Sequence, residues 1–339
     1  MYLKFVKTTL LRSLRTSALV LGLILIGIYI FGQYFLKAEK NYLSMPGDLV
    51  TVWHENMPVT VHLHCSGPKT KNPTVLLESG AMGWSSSWWE VRETLSKHHR
   101  VCGWDRPGMG WSPPPLVPIA VRDYSSLYQK ALEQSKEKGH YVLVGHSMGS
   151  LFLWDFAQKF PSQVQAFLMV DPAHPKQFHQ LPQALVQETT ERLELLKWGP
   201  SMASLGILRW IEPPILSIRS LPFPWQQPMY HFANSSNHLS QSYKELLQWE
   251  KTWPALLKIK QQFDWPLVVL SVEHRASSPE WTQAWRDLHQ ELTTISSNGK
   301  MIIVPGVDHQ GVLFTSEGST FVSREIEQLT NPPTLIGKR

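Results

Sequence analysis

The sequence lacks the signatures that usually reveal a cofactor. It contains only two cysteines among 339 residues, and its histidines and carboxylates form no cluster at metal-ligand spacing. A glycine-rich phosphate loop and a dinucleotide-binding fingerprint are also missing. We therefore expect neither a metal nor any other cofactor.

Positive charge is scarce in the body of the chain and is concentrated at its ends. The formal net charge is +5, but the first 17 residues hold four basic residues and no acid, and the chain ends in Lys338-Arg339. Together with residues 37–40, these ends carry a larger net positive charge than the whole chain does. No basic patch interleaved with aromatic residues occurs elsewhere, which argues against nucleic acid as a partner.

An uncharged apolar stretch follows the basic residues 1–17. Residues 18–36 read ALVLGLILIGIYIFGQYFL, which as a helix is about 28 Å long and could cross the hydrocarbon core of a bilayer. A cleaved signal peptide would have a shorter apolar region and a small-residue cleavage site. We expect an uncleaved single-pass anchor. Positive charge is greater before it than after it, which predicts a cytoplasmic N-terminus and a body on the non-cytoplasmic side.

The most informative motif is Gly145-His-Ser147-Met-Gly149. It stands between the apolar run 141–144 and a helical pattern that ends near Pro161. Strand, sharp turn and helix form the setting in which a serine is raised above a sheet, and small residues beside it let the strand and the helix approach each other. We predict that Ser147 is a nucleophile on an elbow shaped by Gly145 and Gly149. The alternative is an ordinary turn serine.

Short apolar strands alternate with helices along much of the chain. Apart from the run before Ser147, strand patterns occur at 48–54, 59–65, 74–77, 100–104, 166–170, 267–272 and 301–304, with a helical pattern at 124–132. This order predicts an α/β protein with a mostly parallel sheet and helices on both faces. The functional site of such a protein lies at the carboxyl ends of the strands.

The strand pattern is interrupted between residues 176 and 262. We expect residues 37–47 to form a linker, 48–175 and 263–330 to form the two parts of the core, and 331–339 to form a tail. The interruption holds amphipathic helical stretches at 182–198 and 240–260. Between them lies an apolar, proline-containing run with Trp210, Ile211, Pro213, Pro214, Leu221, Phe223, Trp225, Met229 and Phe232.

Several of these segments together resemble the α/β-hydrolase superfamily of lipases, esterases and related enzymes. The matching pieces are residues 63–67, 75–80, 100–112, the Ser147 motif, 168–174 and 304–309. The resemblance implies a serine hydrolase in which residues 176–262 form a helical lid. The apolar lid residues could line a substrate site, bury the lid against the core or contact the membrane. The motifs say little about the substrate.

The resemblance also implies a histidine and an acid that follow the nucleophile in the chain. His309 lies in a small-residue loop after the last predicted strand and is the expected base. Arg275 occupies the place where many relatives have the acid. Asp171, directly after the strand at 166–170, is therefore the preferred acid, and Glu273 is the alternative.

Two further expectations depend on the resemblance. The oxyanion hole should use the backbone N–H groups of Met148 and Ala81, with Met82 as the near alternative. Cys65 ends the second strand and Cys102 begins the fourth, and in this fold these strands lie side by side and antiparallel. The two residues should be adjacent, either as a disulfide, which would survive on the non-cytoplasmic side, or as two buried free thiols.

Two classes of function remain open. The first is a membrane-anchored serine hydrolase that cleaves a carboxylic ester with an apolar portion through an acyl-enzyme on Ser147. An amidase, a thioesterase or a carbon–carbon bond hydrolase would use the same residues. The second class is a non-catalytic binding protein, which would explain the irregular position of the acid. The expected partners are a small-molecule substrate and, through residues 18–36, the lipid bilayer.

Overall fold

The computed structural model describes residues 2–40, 43–137, 139–210, 225–259 and 262–331. In this part of the chain an eight-stranded sheet has the order β1-β2-β4-β3-β5-β6-β7-β8. The strands are β1 Asp48–His54, β2 Met57–Ser66, β3 Thr74–Glu78, β4 Val101–Asp105, β5 Tyr141–His146, β6 Val164–Val170, β7 Leu267–His274 and β8 Gly299–Asp308. β2 is antiparallel to β1 and β4, and the other adjacent pairs are parallel. The predicted fold class is confirmed.

Helices surround the sheet and fill the interruption at residues 176–262, which we call the insertion. The N-terminal helix is α1 Tyr2–Lys40, and the helices of the core are α2 Trp89–Leu95, α3 Tyr124–Gln134 and α4 Met148–Lys159. The insertion carries α5 Gln177–Gln180, α6 Gln183–Leu196, α7 Gly199–Ser204, α8 Gln226–Ala233, α9 Ser236–Leu247 and α10 Trp249–Thr252. The last core helices are α11 Pro279–Leu292, α12 Gly311–Phe314 and α13 Ser316–Thr330. Single 3₁₀ turns occur at Ser85–Trp88, Val121–Asp123, Pro161–Gln163, Ile207–Trp210, Trp253–Lys258 and Thr293–Ile295.

The two faces of the sheet bury separate apolar clusters. Side chains of a strand alternate between faces, so Leu143 of β5 packs with residues of α3 and α4, whereas Val142 and Val144 pack with residues of α2 and α13. All six residues of β5 are buried. Burial on both faces explains why the central strands are continuous apolar runs rather than alternating ones.

The turn between β1 and β2 is formed by Glu55 and Asn56, both with positive φ. One local prediction needs correction. The helix expected at 240–260 is wrong, because α9, α10 and a short 3₁₀ helix divide this stretch. Pro254 lacks a backbone N–H and prevents the continuous helix.

Several predicted residues lie outside the described ranges. From the apolar run of the insertion these are Ile211, Pro213, Pro214, Leu221 and Phe223, and the same holds for Lys260 and for the tail from residue 332. The bounds drawn between linker, core, insertion and tail stay predictions.

Helix α1 is a candidate membrane anchor. Within its segment Arg12–Glu39, a window of 18 residues has a mean hydropathy of 2.2, and 6% of that window is buried in the protein. By length and composition, this helix can cross a membrane. Most of its large apolar side chains between Leu19 and Phe35 are exposed, as expected for a surface that contacts lipid rather than a protein core.

The two cysteines lie directly opposite each other on β2 and β4. The register pairs Cys65 with Cys102, their Cα atoms are 4.1 Å apart, and the structure joins their sulfur atoms in a disulfide. The bond ties the antiparallel strand β2 to the parallel part of the sheet.

We predict that this disulfide is a major source of stability. Replacing both residues, C65A with C102A, should lower the free energy of unfolding by about 3–4 kcal/mol, because the bond closes a loop in the unfolded chain that spans 37 positions. Urea unfolding of the variant and of the oxidised wild type measures the difference. Thiol counting in denatured, unreduced protein should find no free thiol, and finding two would contradict the prediction.

Candidate active site

Ser147 connects β5 to α4 in a strained conformation. Its φ is 53° and its ψ is −124°, a combination that costs a residue with a side chain about 1–3 kcal/mol. The flanking glycines have no room for a side chain. A Cβ on Gly145 would lie 2.6 Å from the backbone nitrogen of Ser150, and one on Gly149 would lie 2.3 Å from the carbonyl oxygen of Glu78. The strand and helix therefore hold the serine at the carboxyl edge of the sheet.

Asp171 and His309 meet at the same edge. They directly follow β6 and β8, and His309 Nδ1 lies 2.5 Å from Asp171 Oδ2. The other carboxylate oxygen accepts the backbone N–H of Val272 at 3.1 Å. Burial alone would raise the pKa of the Asp171 carboxyl, but Arg275 and His309 hold it well below its usual range. The carboxylate is thus ionised and faces the imidazole.

Glu273, the alternative acid, does not contact this histidine. Its side chain is 45% exposed, and its Oε2 accepts the backbone N–H of Gly306 at 2.7 Å. The carboxylate of Asp308 is also occupied, since its Oδ1 accepts the N–H groups of the two residues that follow His309. Of these three carboxylates, Asp171 is the one placed to orient the imidazole.

His146 supports His309 from the elbow. The two imidazole rings are stacked with centroids 4.6 Å apart, and His146 Nε2 lies 3.0 Å from the carbonyl oxygen of His309. Burial lowers the pKa of His146 to about 3, so the ring is neutral and donates one hydrogen bond. In the sequence, the position of His146 next to Ser147 was the feature that could have indicated this contact.

Arg275 places a cation beside Asp171, in addition to the imidazole of His309. Its Nε lies 3.0 Å from Asp171 Oδ2, the same oxygen that faces His309. The N–H is not aligned with that oxygen, so the contact is an ion pair rather than a hydrogen bond. The guanidinium also lies over the ring of Trp285, at 4.2 Å from its centroid. Burial and Arg275 together hold the pKa of His309 below its usual range, against the opposing effect of Asp171.

The loop 79–83 lies beside the elbow. A Cβ on Gly80 would be 3.0 Å from Cβ of Ser147, and Ala81 lines the same cavity as Ser147 and Met148. Met148 is the first residue of α4, where N–H groups have no partner within the helix. Met82, the near alternative to Ala81, has its carbonyl oxygen 2.9 Å from Nε2 of His238.

The side chain of Arg106 donates hydrogen bonds to this loop. It is 1% exposed, and all five of its guanidinium N–H groups have acceptors. These are Glu78 at 2.6 Å, both carboxylate oxygens of Glu245 at 3.1 Å, and the carbonyl oxygens of Ser79, Gly80 and Gly83 at 2.8, 2.9 and 3.4 Å. Glu245 belongs to α9, so one side chain links the sheet, the loop and the insertion. Nothing in the sequence pointed to this pairing.

Burial also makes the two carboxyl groups that face Arg106 harder to ionise. It raises the pKa of Glu78 to about 7 and raises that of Glu245 as well. One cation therefore does not have to balance two fully ionised carboxylates near neutral pH, which reduces the cost of burying the group.

A cavity of about 460 Å³ lies between the core and the insertion. Ser147 and His309 line it from the core, together with Arg275. The insertion and α11 add large apolar side chains to its wall, namely Phe178, Leu185, Leu193, Leu246, Trp249, Trp281 and Trp285, and the insertion also adds the polar residues Gln177, Glu188, Thr189 and Arg192. The cavity can therefore hold a ligand with an apolar portion beside the serine.

The structure describes four of the apolar lid residues named from the sequence, and their contacts lie outside the cavity. Met229 and Phe232 are buried against Trp84 of the core, and Trp225 stacks on Trp89 at 6.1 Å. Trp210 is 62% exposed. These side chains attach the insertion to the core or face outward, while α5, α6, α9 and α10 supply the cavity wall.

Comparison with known proteins agrees with this architecture. The model of the α/β hydrolase fold family matches residues 73–192. The solved structure of carboxylesterase CesB from Bacillus subtilis is similar over 89% of this chain and 98% of that chain, with a TM-score of 0.60 and 17% identity, a likeness that shows the fold alone. The chain has the α/β-hydrolase fold.

Sequence relatives cover only part of the chain. A protein of Schizosaccharomyces pombe is 35% identical over 162 residues, which are 40% of this chain and 30% of that protein. A protein of Saccharomyces cerevisiae described as an uncharacterized vacuolar membrane protein is 34% identical over 108 residues, 31% of this chain and 17% of that protein. The match thus spans less than a third of either relative.

We predict that R275Q raises the pKa of His309, because the variant removes a cation that disfavours the imidazolium. R275K keeps the charge and should leave that pKa near its wild-type value. The imidazole is also faced by Asp171, His146 and Asp308, which both variants retain. NMR titration of labelled histidine measures the pKa, with R192Q, at an exposed position of the cavity wall, as the control. An unchanged pKa in R275Q would show that Arg275 does not act on the base.

Proposed function

We propose that the protein is a membrane-anchored serine hydrolase that cleaves a carboxylic ester through an acyl-enzyme on Ser147. One observation carries the proposal. Ser147, with a positive φ on the turn between β5 and α4, lines the same cavity as His309, whose Nδ1 lies 2.5 Å from the buried carboxylate of Asp171. A serine hydroxyl is a weak nucleophile unless such an oriented imidazole takes its proton.

Each residue then has a defined part in the reaction. As Ser147 Oγ attacks the carbonyl carbon of the ester, its proton passes to Nε2 of His309. Asp171 keeps the other imidazole proton on Nδ1 and stabilises the imidazolium. The N–H groups of Met148 and Ala81 bind the oxyanion. His309 gives its proton to the departing alcohol, and a water activated by the same imidazole hydrolyses the acyl-enzyme.

The ester substrate class is supported by the cavity and by the neighbours. The apolar wall beside Ser147 suits an acyl chain, and similar solved structures include a carboxylesterase and an esterase. An amidase, a thioesterase or a carbon–carbon bond hydrolase would use the same residues. The irregular acid position no longer favours a non-catalytic binding protein, because Asp171 supplies an acid in contact with His309.

We also propose that α1 is an uncleaved anchor, with residues 1–17 in the cytoplasm and the hydrolase body on the other side. The apolar segment Arg12–Glu39, the basic residues before it and a relative described as a membrane protein support this placement. The Cys65–Cys102 disulfide suits a non-cytoplasmic compartment, where such bonds persist.

We predict that S147A abolishes labelling by a fluorophosphonate probe and lowers kcat for short p-nitrophenyl esters by about 10³-fold or more. The nucleophile would be lost while the fold remains. S277A is the matched control, because Ser277 also lines the cavity and should leave both measurements within about twofold. Probe labelling and full activity in S147A would refute the serine-hydrolase proposal.

The acid is tested by comparing D171N with E273Q. D171N should lower kcat by roughly 10³–10⁴-fold, because the amide no longer stabilises the imidazolium or fixes its tautomer. E273Q weakens only an exposed contact with Gly306 and should stay within a few-fold of wild type. Circular dichroism confirms that both variants are folded. The opposite ranking would assign the acid to Glu273.

A further inference from the structure

The last turns of α1 pack directly on the insertion. Gln33 Nε2 donates to the carbonyl oxygen of Ser204 at 2.7 Å, and the ring of Phe31 stacks on that of Trp210 with centroids 5.4 Å apart. The backbones also touch, because a Cβ on Gly32 would lie 2.6 Å from Cα of Gly206. Helix α1 and residues 204–210 thus form one contact surface.

A charged cluster fixes this contact at the end of the apolar run. The carboxylate of Glu39 accepts two hydrogen bonds from the guanidinium of Arg209, at 2.5 and 2.8 Å. Its Oε2 also lies 3.1 Å from Nδ1 of His231 on α8. A bidentate pair of this kind sets orientation as well as attraction. It therefore specifies which part of the insertion lies beside the exit of α1 from the bilayer.

The insertion contacts α1 within its apolar run, and not only at the end of that run. That run ends at residue 36, and a helix rises about 1.5 Å per residue, so Gly32 lies about 6 Å and Ile28 about 12 Å before its end. Gly206 is in contact with both, since a Cβ on it would lie 2.6 Å from Cα of Gly32 and 3.3 Å from the carbonyl oxygen of Ile28. With α1 across the bilayer, this part of the insertion is at the depth of the lipid interface.

The same part of the insertion exposes large apolar side chains. Leu195, Trp198, Leu205 and Trp210, which we call the apolar patch, are 73%, 62%, 46% and 62% exposed. Tryptophan is enriched at membrane–water interfaces, where its apolar body meets lipid and its N–H meets water. In water these apolar side chains would be unfavourably exposed, whereas beside a membrane-spanning helix they would contact lipid.

From these contacts we propose that the apolar patch lies in the non-cytoplasmic leaflet, and that the cavity takes its ester directly from the bilayer. The substrate class is then an ester of a long acyl chain that partitions into lipid. Helix α6 connects the two regions, since Leu193 lines the cavity while Leu195, two positions later, is exposed. The substrate part of this inference depends on the proposed hydrolase function, and the position of the patch does not.

The position of the patch is measured without activity. Full-length L205C, with its single free thiol carrying an NBD fluorophore, is reconstituted in phosphatidylcholine vesicles. Brominated acyl chains should quench this label strongly. The label in K71C, in the loop before β3 at the opposite edge of the sheet, should be unaffected. Equal, weak quenching at both positions would overturn the placement.

The route of the substrate is measured with two esters. The double variant W198E/L205E should lower kcat/KM for a long-chain ester dispersed in vesicles by about tenfold or more, because carboxylates are disfavoured next to the acyl chains that the apolar side chains would contact. Its rate on a short, water-soluble ester should stay within about twofold of wild type. I303E, which places the same charge on an exposed position of β8, should change neither rate.

The outcomes separate the two proposals. Equal loss on both esters, or no loss on the vesicle ester, would overturn the bilayer route. A wild-type protein that hydrolyses neither ester would overturn the proposed function and the substrate class. The quenching result would still decide where the patch lies.

Discussion

The buried guanidinium of Arg106 is the interaction on which the arrangement of the site depends. It joins Glu78 at the end of β3, three carbonyl oxygens of the loop 79–83 and Glu245 of α9. Because every N–H is used, a movement of the loop or of α9 would leave buried N–H groups of Arg106 without an acceptor, which is costly. The loop that faces Ser147 and the wall of the cavity therefore behave as one unit.

Parallel strands bring the remaining groups to the same edge. The carboxyl ends of β5, β6, β7 and β8 are neighbours, so Ser147, Asp171, Arg275 and His309 come together although they are distant in sequence. Asp171 faces the guanidinium of Arg275 and the imidazole of His309 at once. The arginine keeps the carboxylate ionised and favours a neutral imidazole, the form that accepts a proton. The same pairing explains how an arginine can occupy a place where relatives have an acid.

The insertion has contacts on two sides. Its helices supply five of the large apolar side chains that line the cavity, and its segment 204–210 contacts the end of α1. The sequence left three roles open for the apolar lid residues, and in the structure Met229 and Phe232 pack on the core while Trp210 faces outward beside α1. The insertion therefore connects α1 to the cavity.

Sequence alone was sufficient for features that depend on neighbouring residues. The apolar runs of the central strands, the glycines around Ser147 and the uncharged stretch 18–36 each predict a structure, because periodicity, steric room and helix length are local properties. Tertiary structure alone decided which carboxylate meets His309, since Asp171 is 138 positions away, and it paired Arg106 with Glu245 across 139 positions. It also brought α1 onto the insertion. These outcomes depend on packing between distant segments, which the order of residues along one element does not contain.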